Sequence, residues 1–246
     1  MPVFKLTDSL IFPPVELSED NGLLAIGGDL SIERLLLAYV NGIFPWYSEG
    51  DPIMWWSPDP RFVIILDEFK IPKSMRRVLN KNIFSITFDR NFEEVISRCR
   101  SIHLSKGGTW ITREMKEAYI NLYRHGVAHS VEVWHNNVLV GGLYGVSLGR
   151  IFFGESMFSI MSNASKVGLV YLALNLKSHN FLLIDSQIFT PHIKMFGGKD
   201  IKRDEYLNLL NTALKDMDKT TIIGNWGNVF NSKILNNVKS LCSEKN

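Results

Sequence analysis

The sequence predicts an α+β protein in two parts: a small N-terminal domain over residues 1–60 and a mixed-sheet domain over residues 61–246. Three observations lead there. A chain of 246 residues, 46% hydrophobic and 21% charged, is long enough for one large core or two modest ones. Turn chemistry crowds the first sixty residues, with Pro13-Pro14, Asn21-Gly22 and Gly27-Gly28-Asp29. From Arg61 onward, period-2 and period-3.6 apolar patterns alternate, which is the signature of strands and helices sharing one core.

Within the first part, Ser31 is placed to cap a helix whose apolar face is Leu35, Leu36, Ala38 and Tyr39, and Gly42 is placed to stop it. The segment from Phe44 to Pro60 is predicted to be a rigid aromatic loop, because its prolines forbid regular pairing. In the second part, Phe62–Leu66 and Phe84–Phe88 read as strands. Thr112 caps a helix with Met115, Ala118, Tyr119 and Leu122 on its buried face, ended by Gly126. A meander follows over Ser130–Trp134, Val138–Val146 and Arg150–Phe158, with a hairpin turn at Asn136-Asn137. Asn163 or Ser165 then caps a long apolar helix to about Lys177, Phe181–Ile188 forms a short buried strand, and a last helix runs from about Asp204 to Lys215. The Asn- and Lys-rich tail beyond Lys219 is expected to be peripheral.

The bulk numbers narrow the function. A formal charge of +2 provides no global field for nucleic acid, so any RNA contact must come from a local patch. Two distant cysteines, Cys99 and Cys242, give neither a disulfide framework nor a metal spacing, and the N-terminus lacks the pattern of a secretory signal. Val167–Leu176 is too short to span a bilayer. A cytoplasmic, monomeric protein without membrane association is the expectation. His125 and His129 lack a third ligand, so no metal is expected. Gly141-Gly142-Leu143-Tyr144-Gly145 runs along a strand and is no dinucleotide fingerprint, and Ser156 and Ser159 have no identifiable histidine partner for a triad.

Four features carry chemistry. Trp46, Trp55 and Trp56 fall within eleven residues, and Trp110 follows Gly107-Gly108-Thr109; rigid indoles suit either a core plug or a stacking face for a base. Glu155 is a lone charge in an apolar strand, on one face with Phe153 and Met157 by alternation, and reads either as an edge residue or as an acceptor for a substrate ammonium. Asp185 ends a buried strand; sharing a face with Gln187, it is placed to orient the Gln187 amide, unless it merely caps a turn. Lys73, Arg76, Arg77 and Lys81 form a basic cluster, either a solvated face or a contact for phosphates.

Together these segments resemble the bacterial leucyl/phenylalanyl-tRNA–protein transferase family. The resemblance rests on Asn21-Gly22-Leu23-Leu24-Ala25-Ile26-Gly27-Gly28-Asp29-Leu30, Gly42-Ile43-Phe44-Pro45-Trp46, Trp55-Trp56-Ser57-Pro58-Asp59-Pro60-Arg61, Gly108-Thr109-Trp110-Ile111-Thr112, His129-Ser130-Val131-Glu132-Val133-Trp134, Gly154-Glu155-Ser156-Met157-Phe158-Ser159 and Ile184-Asp185-Ser186-Gln187. It implies an acetyltransferase-like (GNAT) second domain. It also implies transfer of Leu or Phe, and less well Met, from aminoacyl-tRNA to proteins beginning with Arg or Lys, marking them for N-end-rule degradation. No cofactor is implied. Trp46 and Trp110 would stack around the terminal adenosine, and Glu155 would hold the α-amino group. Leu143, Phe153, Met157 and Leu172 would shape the amino-acid pocket, with Asp185 orienting Gln187. Since a glutamine is no base in water, Gln187 is read as a positioning group for an already activated ester.

Two departures from the family pattern stand out. Leu143 and Leu172 occupy positions where the family carries methionine and phenylalanine, which alters the pocket's depth. The loop after Phe158 lacks the Gln-x-x-Gly-x-Gly pattern that holds coenzyme A in true acetyltransferases. A coenzyme A-dependent N-acyltransferase and a non-catalytic RNA-binding module are the alternatives. Acetyl-CoA binding would favour the first; dispensable Asp185 and Gln187 would favour the second.

Overall fold

The computed structural model describes residues 3–105 and 107–235. The N-terminal part contains β1 (Phe4–Leu6), β2 (Leu23–Gly27), α1 (Ile32–Val40), β3 (Phe44–Pro45) and β4 (Met54–Trp56). Its strands form a four-stranded sheet in the order β1-β2-β4-β3. The expected unpaired loop over residues 44–60 is therefore a correction: Phe44 and Pro45 pair antiparallel with Trp56 and Trp55. Pro45 is tolerated because β3 is an edge strand, where one missing N–H takes no ladder bond away. The α1 signals behave as predicted, with the Ser31 hydroxyl accepting from the Arg34 N–H at 3.3 Å and Gly42 in the left-handed region at φ +72°.

The remaining chain continues with β5 (Arg61–Ile65), α2 (Lys73–Asn80), β6 (Ser85–Phe88), α3 (Phe92–Leu104), α4 (Arg113–Arg124), β7 (Ala128–His135), β8 (Val138–Leu148), β9 (Ile151–Ser159), α5 (Ala164–Ser178), β10 (Leu183–Asp185), α6 (Pro191–Lys194), β11 (Lys199–Ile201), α7 (Arg203–Leu214) and α8 (Met217–Thr220). Seven strands build one mixed sheet in the order β11-β5-β10-β9-β8-β7-β6. The β7–β8 hairpin turns at Asn136 and Asn137, both at positive φ, as a type I′ turn requires. β9 and β10 are parallel, with Leu183–Asp185 opposite Ile151–Phe153.

Alternating side chains feed two cores. On one face Val146, Tyr144, Phe153 and Phe158 pack with α1, α3 and α4 and with the N-terminal sheet. On the other, Val131, Val133, Leu143 and Phe152 pack with α2 and α5. Residues beyond 219 correct the expected peripheral tail: Trp226 is fully buried and Phe230, Ile234 and Leu235 are buried with it. Trp226 lies flat on His129, ring centroids 3.7 Å apart, and its main-chain N–H donates to the Asp89 carboxylate at 2.8 Å. Composition hid this, because three or four apolar anchors suffice to seat an otherwise polar segment. Cys242 lies outside the described residues. Among the described residues, no helix is long and apolar enough to cross a membrane.

Candidate active site

β9 and β10 stay paired only as far as Phe153 and Asp185. Beyond those residues the chains diverge and open a cavity of about 570 Å³ between Gly154–Ser159 on one side and Ser186–Thr190 on the other. That is within the usual size of a small-molecule pocket, at the strand ends where parallel neighbours separate. Leu143, Phe152, Met157, Leu169, Leu172 and Ile184 give it an apolar interior. Trp46 and Trp110 line it from the N-terminal sheet and from the loop before α4.

Glu155 owes its position to a bulge. Tyr144 of β8 opposes Ser156 and Gly145 opposes Gly154, so Glu155 is the extra residue of β9. Gly145 is required there, since a Cβ on it would lie 2.1 Å from the Phe153 carbonyl oxygen. The bulge breaks simple alternation: Glu155 and Ser156 both turn toward α1, α3 and α4, while Met157 faces the α5 side. Two corrections follow. Met157 does not share a face with Glu155. Phe153 does, but its ring is fully buried against Tyr39 at 4.7 Å and does not line the cavity.

The carboxylate is well supplied with donors. Tyr39 and Tyr119 hydroxyls donate to its two oxygens at 2.8 and 2.9 Å, and the Gln187 amide donates to Oε1 at 2.9 Å. The two tyrosine hydroxyls also touch each other at 2.5 Å. Glu155 is half-buried on the cavity wall, and desolvation there pushes its pKa up to about 7 against the three hydrogen bonds that favour the anion. Among the described residues lining the cavity it is the only acid.

Asp185 and Gln187 are brought to the site differently from the sequence expectation. β10 ends at Asp185, and Gln187 adopts a left-handed backbone at φ +65°, so the two side chains do not share a strand face. The Asp185 carboxylate accepts the Gln187 main-chain N–H at 2.9 Å rather than meeting the side-chain amide. Arg61 grips the same carboxylate in bidentate fashion at 2.9 and 2.7 Å, and Tyr206 donates to it at 2.8 Å. Burial opposes the Arg61 charge, but the Asp185 carboxylate outweighs it and holds the guanidinium above its ordinary pKa. Asp185 is fully buried and does not line the cavity; Gln187 does. Arg61 was a missed residue. Its signal was a lone cation at the start of an apolar strand, facing a lone acid at the end of another.

The remaining candidates separate cleanly. Trp46 is 39% exposed at the cavity wall, whereas Trp55 is fully buried and its indole N–H donates to the Gly27 carbonyl at 2.9 Å. The aromatic cluster is thus part cavity wall and part core plug. Leu143, Met157 and Leu172 line the cavity. Ser156 does have a histidine partner, contrary to expectation: His103 Nε2 lies 3.1 Å from its hydroxyl, because α3 packs along β9. Lys73, Arg76, Arg77 and Lys81 are exposed on and just after α2, away from the cavity wall. Among the described residues there is no cluster of three or more His, Cys, Asp or Glu able to hold a metal.

Comparison with known proteins bears on this arrangement. A family model described as leucyl/phenylalanyl-tRNA protein transferase matches residues 63–211, and one for the N-terminal domain of the same family matches residues 28–59. The leucyl/phenylalanyl-tRNA–protein transferase of Syntrophobacter fumaroxidans is 57% identical over 211 residues, covering 85% of this chain and 90% of that protein. The one from Flavobacterium johnsoniae is 53% identical over 211 residues, 85% of this chain and 100% of that protein. The one from Syntrophus aciditrophicus is 52% identical over 227 residues, 92% and 94% of the two chains. Matches of this extent and identity establish that the chain belongs to the leucyl/phenylalanyl-tRNA–protein transferase family of aminoacyltransferases.

Proposed function

We propose that the chain moves Leu or Phe, and Met less well, from aminoacyl-tRNA to the N-terminal Arg or Lys of acceptor proteins, marking them for N-end-rule degradation. One observation carries the reading: a single carboxylate, framed by two tyrosines and an amide, stands beside an otherwise apolar cavity walled by Trp46 and Trp110. That pattern suits an α-amino group attached to an apolar side chain and, beyond it, a nucleobase. Glu155 takes the ammonium, Leu143, Leu169 and Leu172 surround the side chain, and the indoles stack on the terminal adenine.

The chemistry needs placement more than proton transfer, since the donor is already an ester. The NH₂ end of Gln187 is committed to Glu155, so its amide oxygen is the end left to accept a hydrogen bond from the attacking amine. Asp185, clamped by Arg61 and Tyr206, fixes the turn that aims Gln187 and acts as a positioning residue. Orientation of this kind contributes several kcal/mol of barrier lowering.

The same reading takes residues 61–246 as an acetyltransferase-like (GNAT) domain and residues 1–60 as its accessory domain, acting as a cytoplasmic monomer. It is supported by the separation of parallel β9 and β10 around the cavity and by the break between the two sheets after Trp56. The cluster Lys73, Arg76, Arg77 and Lys81 would meet the tRNA backbone; unchanged affinity after removing those charges would exclude that contact. The decisive assay charges labelled Phe onto its tRNA and offers a peptide beginning with Lys or Arg. Transfer of label to the peptide is expected, and its absence with folded protein refutes the reading.

A further inference from the structure

Polar groups at one end of the cavity have no part in the chemistry described so far. Ser165, Leu169 and Leu172 all line the cavity, so it follows one face of α5 for seven residues, about 10 Å. Leu169 and Leu172 belong to its apolar end. Ser165 and Ser159 belong to the other, where α5 begins.

Ser165 is only 8% exposed, and its hydroxyl has no hydrogen-bond partner among the described residues. Its main-chain N–H is taken by the Ser159 hydroxyl at 3.3 Å, which in turn donates to the Met161 carbonyl at 2.8 Å. On the cavity wall, a hydroxyl that no protein group bonds is available to whatever fills the cavity. The neighbouring N–H groups of Ala164 and Val167 are bonded to the Met161 and Asn163 carbonyls. That leaves the Lys166 N–H as the remaining donor of the first turn.

The charges point the same way. α5 has no acidic residue in its first turn and carries Lys166 there instead, where the helix dipole disfavours a cation. Lys166 follows Ser165 on this turn but does not itself line the cavity; it is half-buried and in no ion pair among the described residues, so its ammonium is available to an anion at the cavity's edge. A free ammonium, a free N–H and a free hydroxyl on one turn together suit an anion.

We infer that the first turn of α5 is a phosphate site, in which the Ser165 hydroxyl and the Lys166 N–H and ammonium take the phosphate on the 5′ side of the donor's terminal nucleoside. The inference rests on the transferase reading. The span from Leu172 to Ser165 is of the order of an aminoacyl ester plus the ribose that carries it, which places the next phosphate at this turn.

The test compares two small donors, 3′-phenylalanyl-adenosine with and without a 5′-phosphate, in wild type, Ser165→Ala and Lys166→Glu. The quantity read is the ratio of kcat/KM for the phosphorylated over the unphosphorylated donor. Wild type should show a ratio of about ten, the scale of one or two charge-assisted hydrogen bonds, and both variants should bring it close to one. A wild type that uses both donors equally, or variants that keep the full ratio, would overturn the phosphate site while leaving the transferase reading intact. A folded wild type that uses neither donor, nor aminoacyl-tRNA itself, would overturn both.

Discussion

Replacing Glu155 by glutamine removes the carboxylate while keeping the side chain's shape, and the size of the effect on stability follows from the site. In the folded protein burial raises the carboxyl from its ordinary 4.5 to about 7. The folded state therefore binds the proton more tightly than the unfolded chain does. The stability this provides is complete below about pH 4.5 and is lost as pH rises through 7. A difference of 7 − 4.5, roughly 2.5 units, at 1.36 kcal/mol each amounts to at most about 3 kcal/mol, reduced by water that enters the cavity. Glu155→Gln also disturbs the hydrogen bonds from Tyr39, Tyr119 and Gln187, but that offset is the same at every pH. His129, whose pKa burial lowers, titrates alike in both proteins. Urea unfolding at pH 5 and pH 8 isolates the term. Wild type should lose about 2–3 kcal/mol more than the variant over that interval. Parallel curves for the two proteins would refute the idea that Glu155 is held partly protonated in the folded state.

Substitutions at three further positions probe the rest of the structure. Asp185→Ala strands the Arg61 guanidinium in the core and should cost about 3–5 kcal/mol in chemical denaturation, with Asp185→Asn less harmful because it still accepts the Gln187 N–H. In the transferase assay the Asn variant should lose turnover far more than donor binding, and equal loss of both would count against a positioning role. Trp226→Ala should cost about 3–5 kcal/mol; a loss under about 0.5 kcal/mol would mean the segment after 219 is peripheral after all. Leu172→Phe fills the apolar end of the cavity and should shift kcat/KM toward Leu over Phe by about ten-fold; an unchanged ratio would place the donor side chain elsewhere.

The sequence was most readable where a local rule decides the outcome. Ser31 and Thr112 cap their helices, and Asn136-Asn137 makes its hairpin, because each acts on the next few residues. The strands of the meander were readable for the same reason, within a residue or two. Legibility failed where distant partners decide. α3 was not predicted, since its buried residues Phe92, Val95, Ile96 and Cys99 only become a face once β8 and β9 lie beneath them. The pairing of Pro45 with Trp55 depended on β3 being an edge, a property of the sheet and not of the segment. At the site, Glu155, Gln187, Trp46 and Trp110 could be picked out by residue type. The bulge that turns Glu155 and Ser156 the same way could not, because it is set by Gly145 on the neighbouring strand and by Phe153.

That bulge also ties substrate binding to pH. A carboxyl with a pKa near 7 is about half protonated at neutral pH, and an ammonium group placed against it favours the anion. Donor binding should therefore release a proton from Glu155, and donor affinity should rise as pH increases from about 5.5 to 7. Above about pH 8 the donor's own α-amino group loses its charge and the gain reverses. Calorimetry in buffers of different ionisation enthalpy measures the proton released, with 3′-phenylalanyl-adenosine as ligand. The matching ligand without its amino group, 3-phenylpropionyl-adenosine, presents the same ring and nucleoside without the cation. The first should show a maximum in affinity between pH 7 and 8, and the second should bind best at low pH, where Glu155 is neutral. Identical pH dependence for the two ligands would mean that Glu155 does not receive the ammonium. The apolar cavity and the two indoles would then remain as a nucleoside site with a different group at its centre.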